Sequence, residues 1–317
     1  MLSRVAERVY WQARYLERAE STARLLDVFS TLLMDLPKGT KLGWNTLVQI
    51  TGTNEIFDAT GRQPIERNVM KFLLSEDNGV SIINMLAAAR ENARTTREIM
   101  PTEAFEQINE LYFYARDNLA KGVSRGPRHE LFAEIITSCQ KLTGLMAGTM
   151  SHNDAYSFVL LGCNLERADM TTRIVDVGSS NLLVSSQGSS QGFSQVDDPL
   201  TNILWMNILR SISAYQMYRQ HVKDRINAED VVIFLLQNEE FPRSLAHCIT
   251  QLSGVIDDLP NHSKPLTQIA KTYRAIKHAN IEKLLVNGLF QYIDDLQIEI
   301  GAIHQAISAT WFLSRQD

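Results

Sequence analysis

The chain has 317 residues, 44% hydrophobic and 21% charged, with a formal net charge of −5 and a pI near 5.8. Such a length accommodates two domains or one large duplicated body with a substantial core. The acidic balance argues against a nucleic-acid-binding body, the three scattered cysteines (Cys139, Cys163, Cys248) against a disulfide framework or metal signature, and the lack of an apolar run of about 20 residues against a membrane span.

In chain order, the first segment carries apolar residues at Val5, Val9, Leu16, Ala19, Ala23 and Leu26, a helical spacing of three, four or seven. Its N-terminus, Met1 to Arg8, is charged and has no apolar signal region, which with the reduced cysteines gives a cytoplasmic reading. Leu36-Pro37-Lys38-Gly39 stops this helix, and Pro101-Thr102-Glu103 reads as a helix start. Long helical patterns follow over 129–150 and, from Ile281 through Leu289, Ile293, Leu296, Ile300, Ile303 and Ile307, over 281–313, with Leu259-Pro260-Asn261 as a further stop. Only 16 glycines and 8 prolines punctuate the chain, and no strand-like alternation is sustained.

A repeat organises these elements. Residues 16–28 (LERAESTARLLDV) and 165–177 (LERADMTTRIVDV) share eight of thirteen positions at an offset of 149. Trp44 and Trp205 lie 161 apart, and Val69–Leu74 resembles Val231–Leu236 at an offset of 162. The added residues fall in 179–199 (SSNLLVSSQGSSQGFSQVDDP), a Ser, Gln and Gly-rich stretch that reads as a flexible surface loop or a lid. The expected fold is therefore all-α, a duplicated antiparallel helical bundle of two diverged copies of a three- to four-helix unit, over about 1–150 and 151–317.

The opening MLSRVAERVYWQARYLERAESTARLLDV resembles that of the bacterial alpha-E domain family, as do AARENARTTREIMPTEAFEQIN (88–109), FVLLGCNLERADMTTRIVDV (158–177) and FLLQNEEFPRSL (234–245). The resemblance covers most of the chain. It implies a companion of circularly permuted ATP-grasp ligases and transglutaminase-like proteins, active in amide-bond formation or peptide modification, with functional glutamates. The expected partners are thus an ATP-grasp-type ligase or transglutaminase-like protein and a peptide or amino-acid ligand, with a homo-oligomer as a further reading. One departure stands out: where the second copy often reads Leu-Gly-Arg, this chain has Leu161-Gly162-Cys163, so Arg14 lacks a cationic counterpart.

Two constellations could carry chemistry. At about 100° per residue, Glu17, Glu20, Arg24 and Asp27 share one stripe of the first helix, with Arg14 and Arg18 beside it. Glu166, Asp169, Arg173 and Asp176, with Arg167, repeat the construction in the second copy. The same helix carries Trp11, Tyr15, Leu25 and Phe29 on its other sides, so it should be largely buried, and buried charges must be paired. Two such ridges facing each other would make either a structural ion-pair network between the copies or a site. In the site reading Glu17, Glu20 and Glu166 act as acid–base or anchoring groups, and Arg14, Arg18, Arg24, Arg167, Asp169 and Arg173 bind substrate or partner. The interleaved arginines leave little field for a divalent metal, and no cofactor is expected. The second constellation, Arg90, Arg94 and Arg97 at i, i+4 and i+7, lines up three guanidiniums suited to an anionic ligand or partner, or simply a charged face. Leu252 and Ile256 take the places of Arg90 and Arg94 in the second copy. Nucleotide-binding loops, nucleophile elbows and His-rich metal motifs are missing, and His152, His221, His304 and Cys163 read as structural.

Overall fold

Every regular element among the described residues (1–35, 42–186 and 199–312 of the computed structural model) is helical. The first run comprises α1 (Ser3–Asp35), α2 (Asn45–Ile50), α3 (Asn54–Asp58), α4 (Glu66–Leu74), α5 (Ile82–Thr95), α6 (Thr102–Asp117), α7 (Leu119–Val123) and α8 (Arg128–Thr149). The second comprises α9 (Asp154–Ser186), α10 (Pro199–Ser211), α11 (Tyr215–His221), α12 (Ala228–Gln237), α13 (Leu245–Asp257), α14 (Ser263–Lys277), α15 (Ile281–Val286) and α16 (Leu289–Trp311). Long helices fall at the same places in both runs: α1 and α9 have 33 residues each, α8 and α16 have 22 and 23. The expected unit of three or four helices falls short of the eight in each run: six shorter helices lie between the two long ones.

Packing follows the sequence. α1 and α9 carry apolar residues on several sides of their charged ridges, and no residue from Val9 to Ser30 or from Ala155 to Gly178 is exposed. A helix with apolar residues on several sides is enclosed by other helices, and these two form the axis of the molecule. Around them, α5 and α8 pack on α1, and α13 and α16 pack on α9. Glu20 meets Gln140, Asp27 meets His129 and Ser30 meets Arg128, so α8 runs antiparallel to α1. A short turn over Met150–Asn153 then reverses the chain into α9, which leaves α1 and α9 parallel. Their contacts keep nearly constant register: the Met1 amino group lies 3.9 Å from Asp154, Tyr10 borders Gly162, and Arg18 bonds Glu166. The axis pair is thus the parallel exception in a bundle whose short connections make antiparallel neighbours.

Small residues permit that closeness. A Cβ on Gly162 would stand 2.3 Å from the Tyr10 carbonyl oxygen and 3.1 Å from Ala13 Cβ, so glycine lets the two backbones touch.

Three expectations are corrected here. The 179–199 loop begins later, because α9 continues through Ser186 and Pro199 already opens α10; residues 187–198 lie outside the described residues, as does the Pro37 stop. The single helix over 281–313 is split by Asn287-Gly288, with Gly288 at φ 106°. And α5 ends at Thr95, where the Thr95 and Thr96 hydroxyls bond back to the Asn92 carbonyl; Arg97 falls in a 3-10 turn (Arg97–Ile99), so the three-arginine stripe is broken.

Candidate functional site

The two acid-and-arginine ridges meet where α1 and α9 pack. Glu166, fully buried on α9, accepts from Nε of Arg14 at 2.7 Å and from both Nε and Nη2 of Arg18, the latter at 2.9 Å. The pairing also runs in the other direction: Glu17 on α1, 4% exposed, accepts from Nε of Arg167 at 3.0 Å. The Glu-Arg dipeptides 17–18 and 166–167 therefore bond each other reciprocally across the helix pair. The chain has two more such dipeptides, at 7–8 and 66–67, and neither lies at this crossing; Glu66 pairs instead with Arg125 and Arg128.

Each glutamate needs a further cation, and the two halves supply it differently. Arg14, from the preceding turn of α1, serves Glu166. Its counterpart on α9 is Cys163, whose thiol donates to Glu17 at 3.0 Å but brings no charge. The missing cation comes from Arg243, one residue before the Ser244 cap of α13. Its Nη1 donates to Glu17 at 2.6 Å and its Nη2 to Glu20 at 2.8 Å, while the Thr171 hydroxyl on α9 holds its carbonyl at 2.8 Å. Arg24 completes Glu20 at 2.5 Å, and Arg173 pairs with Asp169 at 3.0 Å. Around Glu17 and Glu20 stand Arg24, Arg167 and Arg243; around Glu166 and Asp169 stand Arg14, Arg18 and Arg173. Both clusters set three guanidiniums against two carboxylates.

The electrostatics follow from this geometry. Burial alone would raise the Glu17 carboxyl, but Arg243 and Arg167 outweigh it and hold its pKa at about 2. Burial opposes Glu166 in the same way, and Arg14 and Arg18 keep it below the usual carboxylate range. Burial pushes the Cys163 thiol well up, with Glu17 adding to the effect, so it stays protonated. Arg14 is backed by a second layer: it lies over the Trp11 ring at 5.0 Å and reaches the Tyr10 hydroxyl, which bonds His304 Nδ1 at 2.8 Å. Burial raises Tyr10 to about 12, and burial together with Arg14 lowers His304 to about 4. Further along the stripes, Asp27 pairs with His129 at 2.8 Å, while burial and Asp294 raise Asp176 to about 6.

Two cavities flank the centre. One, of about 40 Å³, lies between Glu17, Glu20 and Cys163 and the apolar side of α8 at Cys139, Leu142 and Met146. It has room for a water or two and none for a peptide. The other, of about 160 Å³, lies between Arg18 and Thr22 on α1, Asp169 and Arg173 on α9, and the turns at Thr51–Thr53 and Val80.

The remaining sequence-derived residues lie apart. Arg90 donates to Asn109 at 2.6 Å and covers the Phe113 ring, Arg94 pairs with Glu91 at 2.7 Å on the exposed face of α5, and Arg97 is exposed. Arg243, Tyr10 and His304 were not expected. Arg243 lies in the family-like block FLLQNEEFPRSL (234–245), and the serine caps place it where the first run has Val80, a register that sets Ser253 and Asp257, not Leu252 and Ile256, opposite Arg90 and Arg94. Among the described residues no group of three or more His, Cys, Asp and Glu side chains could hold a metal ion, and no helix is long and apolar enough to cross a membrane.

A profile of the family called Alpha-E, described as a predicted alpha-helical domain with a conserved ER motif, matches residues 1–312. No curated protein and no solved structure matches the chain.

Proposed function

The chain belongs to the Alpha-E family, and on that premise we propose that it is a partner protein of an ATP-grasp ligase, engaging the ligase or its peptide or amino-acid substrate in amide-bond formation, with the Glu–Arg centre as the structural keystone that shapes it. The observation that carries the non-catalytic part is the reciprocal pairing of Glu17 with Arg167 and Glu166 with Arg18. A general acid or base works best with a pKa near the operating pH. Glu17, held at about 2 by two guanidiniums, and Glu166, held down by two more, are fixed anions with committed lone pairs. Buried, paired charges of this kind specify how two helices register. The ligase association is drawn from the resemblance of the ER-bearing blocks to the family. An enzyme acting on amides through Glu17, Glu20 and Glu166 would need an approach to Glu17 wider than the 40 Å³ cavity beside it.

Co-purification tests the reading. The tagged full chain, mixed with an ATP-grasp ligase from the same cell, should co-elute with it in at least one nucleotide state. Failure to associate without nucleotide, with ATP and with ADP would contradict it.

A further inference from the structure

We propose that the cavity of about 160 Å³ between α1, α9 and the turns at 51–53 and 80 is a binding site for a small carboxylate ligand, of the size of a short amino acid.

The first ground is a difference between the two halves. Thr171 and Thr22 occupy matching places in the repeated segments, 149 residues apart. Thr171 donates its hydroxyl to the Arg243 carbonyl, and the Arg243 side chain fills the space beside Glu17 and Glu20. On the other side the residue in the corresponding place is Val80, too short to reach across. Thr22, 1% exposed, has a hydroxyl with no hydrogen-bond partner among the described residues, and it lines the cavity. A buried hydroxyl without a partner is costly, and a ligand atom that accepts from it removes the cost.

The second ground is charge. Arg14, Arg18 and Arg173 face Glu166 and Asp169, three guanidiniums to two carboxylates, and here guanidinium donors are left over. Arg18 uses Nε and Nη2 on Glu166, and Arg173 uses only Nε on Asp169. The remaining guanidinium N–H groups of these two residues make no hydrogen bond among the described residues. Their side chains are 32% and 30% exposed, so the cavity is reached from solvent past them. The Arg173 head lies over Gly52, where a Cβ would be 2.2 Å from Nη1, so the turn gives it room. Two guanidinium edges and a hydroxyl suit a carboxylate, which accepts in two directions. Asp169 on the same wall suits an ammonium group. A cavity near 150 Å³ takes a molecule of about benzene's size, which matches a short amino acid and excludes a folded peptide.

The site goes beyond the partner-protein reading, and its test needs no ligase, so the two can fail separately. Titration calorimetry on the full chain uses acetate, glycine and inorganic phosphate as probes, with Thr22→Val and Arg173→Lys as variants. Acetate and glycine should bind saturably, glycine more tightly. Thr22→Val keeps the volume and removes the unpartnered hydroxyl; its melting temperature should hold or rise while glycine affinity falls about tenfold. Arg173→Lys keeps the charge beside Asp169 and should weaken glycine binding also. No saturable heat with either carboxylate, unchanged affinity in both variants, or saturation by phosphate alone would overturn the assignment.

Discussion

Arg243 and Val80 hold the same place in the two runs of helices, each one residue before the serine that caps the helix packed on the axis, Ser244 for α13 and Ser81 for α5. The reverse exchange is seen at Arg14 and Cys163. The first half sends its extra cation from within the axis helix, and the second sends it from a neighbouring turn.

This trade can be reversed by mutation. Arg243→Val leaves Glu17 and Glu20 with one buried cation fewer and should cost about 3–5 kcal/mol. Adding Cys163→Arg supplies a guanidinium from the place Arg14 occupies on the other helix, and the double variant should regain a large part of that loss. Urea denaturation of the three proteins reads the outcome; a double variant no more stable than Arg243→Val would contradict the equivalence.

Glycine substitutions separate the axis from its surroundings. Gly162→Ala drives a methyl group into the Tyr10 carbonyl and should destabilise by about 3 kcal/mol. Gly144→Ala, exposed in α8 with nothing within 4 Å of the added Cβ, should instead stabilise by about 0.5–1 kcal/mol. Thermal melts of both variants decide it.

Acid should loosen the protein in two stages. His304 titrates at about 4 in the folded chain against an ordinary 6.5, so below pH 6.5 the unfolded chain binds the proton first and stability falls as pH drops through 4. Glu17, at about 2 against 4.5, has the same sign and loses its contribution from about pH 4.5 down through 2. Asp176, raised to about 6, acts in the opposite direction, so its share must be subtracted. The difference in denaturation midpoint between wild type and His304→Gln, followed from pH 7 to 4, isolates the histidine: the gap between them should shrink or invert as pH falls. A constant gap would show that His304 titrates normally.

Much of this centre is legible in the sequence because it is written in helical periodicity. Apolar residues on the far side of Glu17 force α1 inside, and once inside its charges must find partners of opposite sign; the repeated LERA segments name them. What escapes is what periodicity does not encode. Arg243 comes from a turn inside the family-like block 234–245, and no helical spacing ties it to Glu17. Arg97 looks continuous with Arg90 and Arg94 until the threonine hydroxyls end α5 early. The parallel course of α1 and α9 depends on α8 lying between them in sequence, which no local pattern reports.

The most direct test is a double-mutant cycle on Glu17 and Arg167, using Glu17→Gln, Arg167→Met and the pair, read by equilibrium denaturation. If the crossed Glu–Arg bonds hold the axis helices together, each single change costs several kcal/mol and the coupling between them is about 1.5–3 kcal/mol. Single variants of wild-type stability with a coupling near zero would contradict the account.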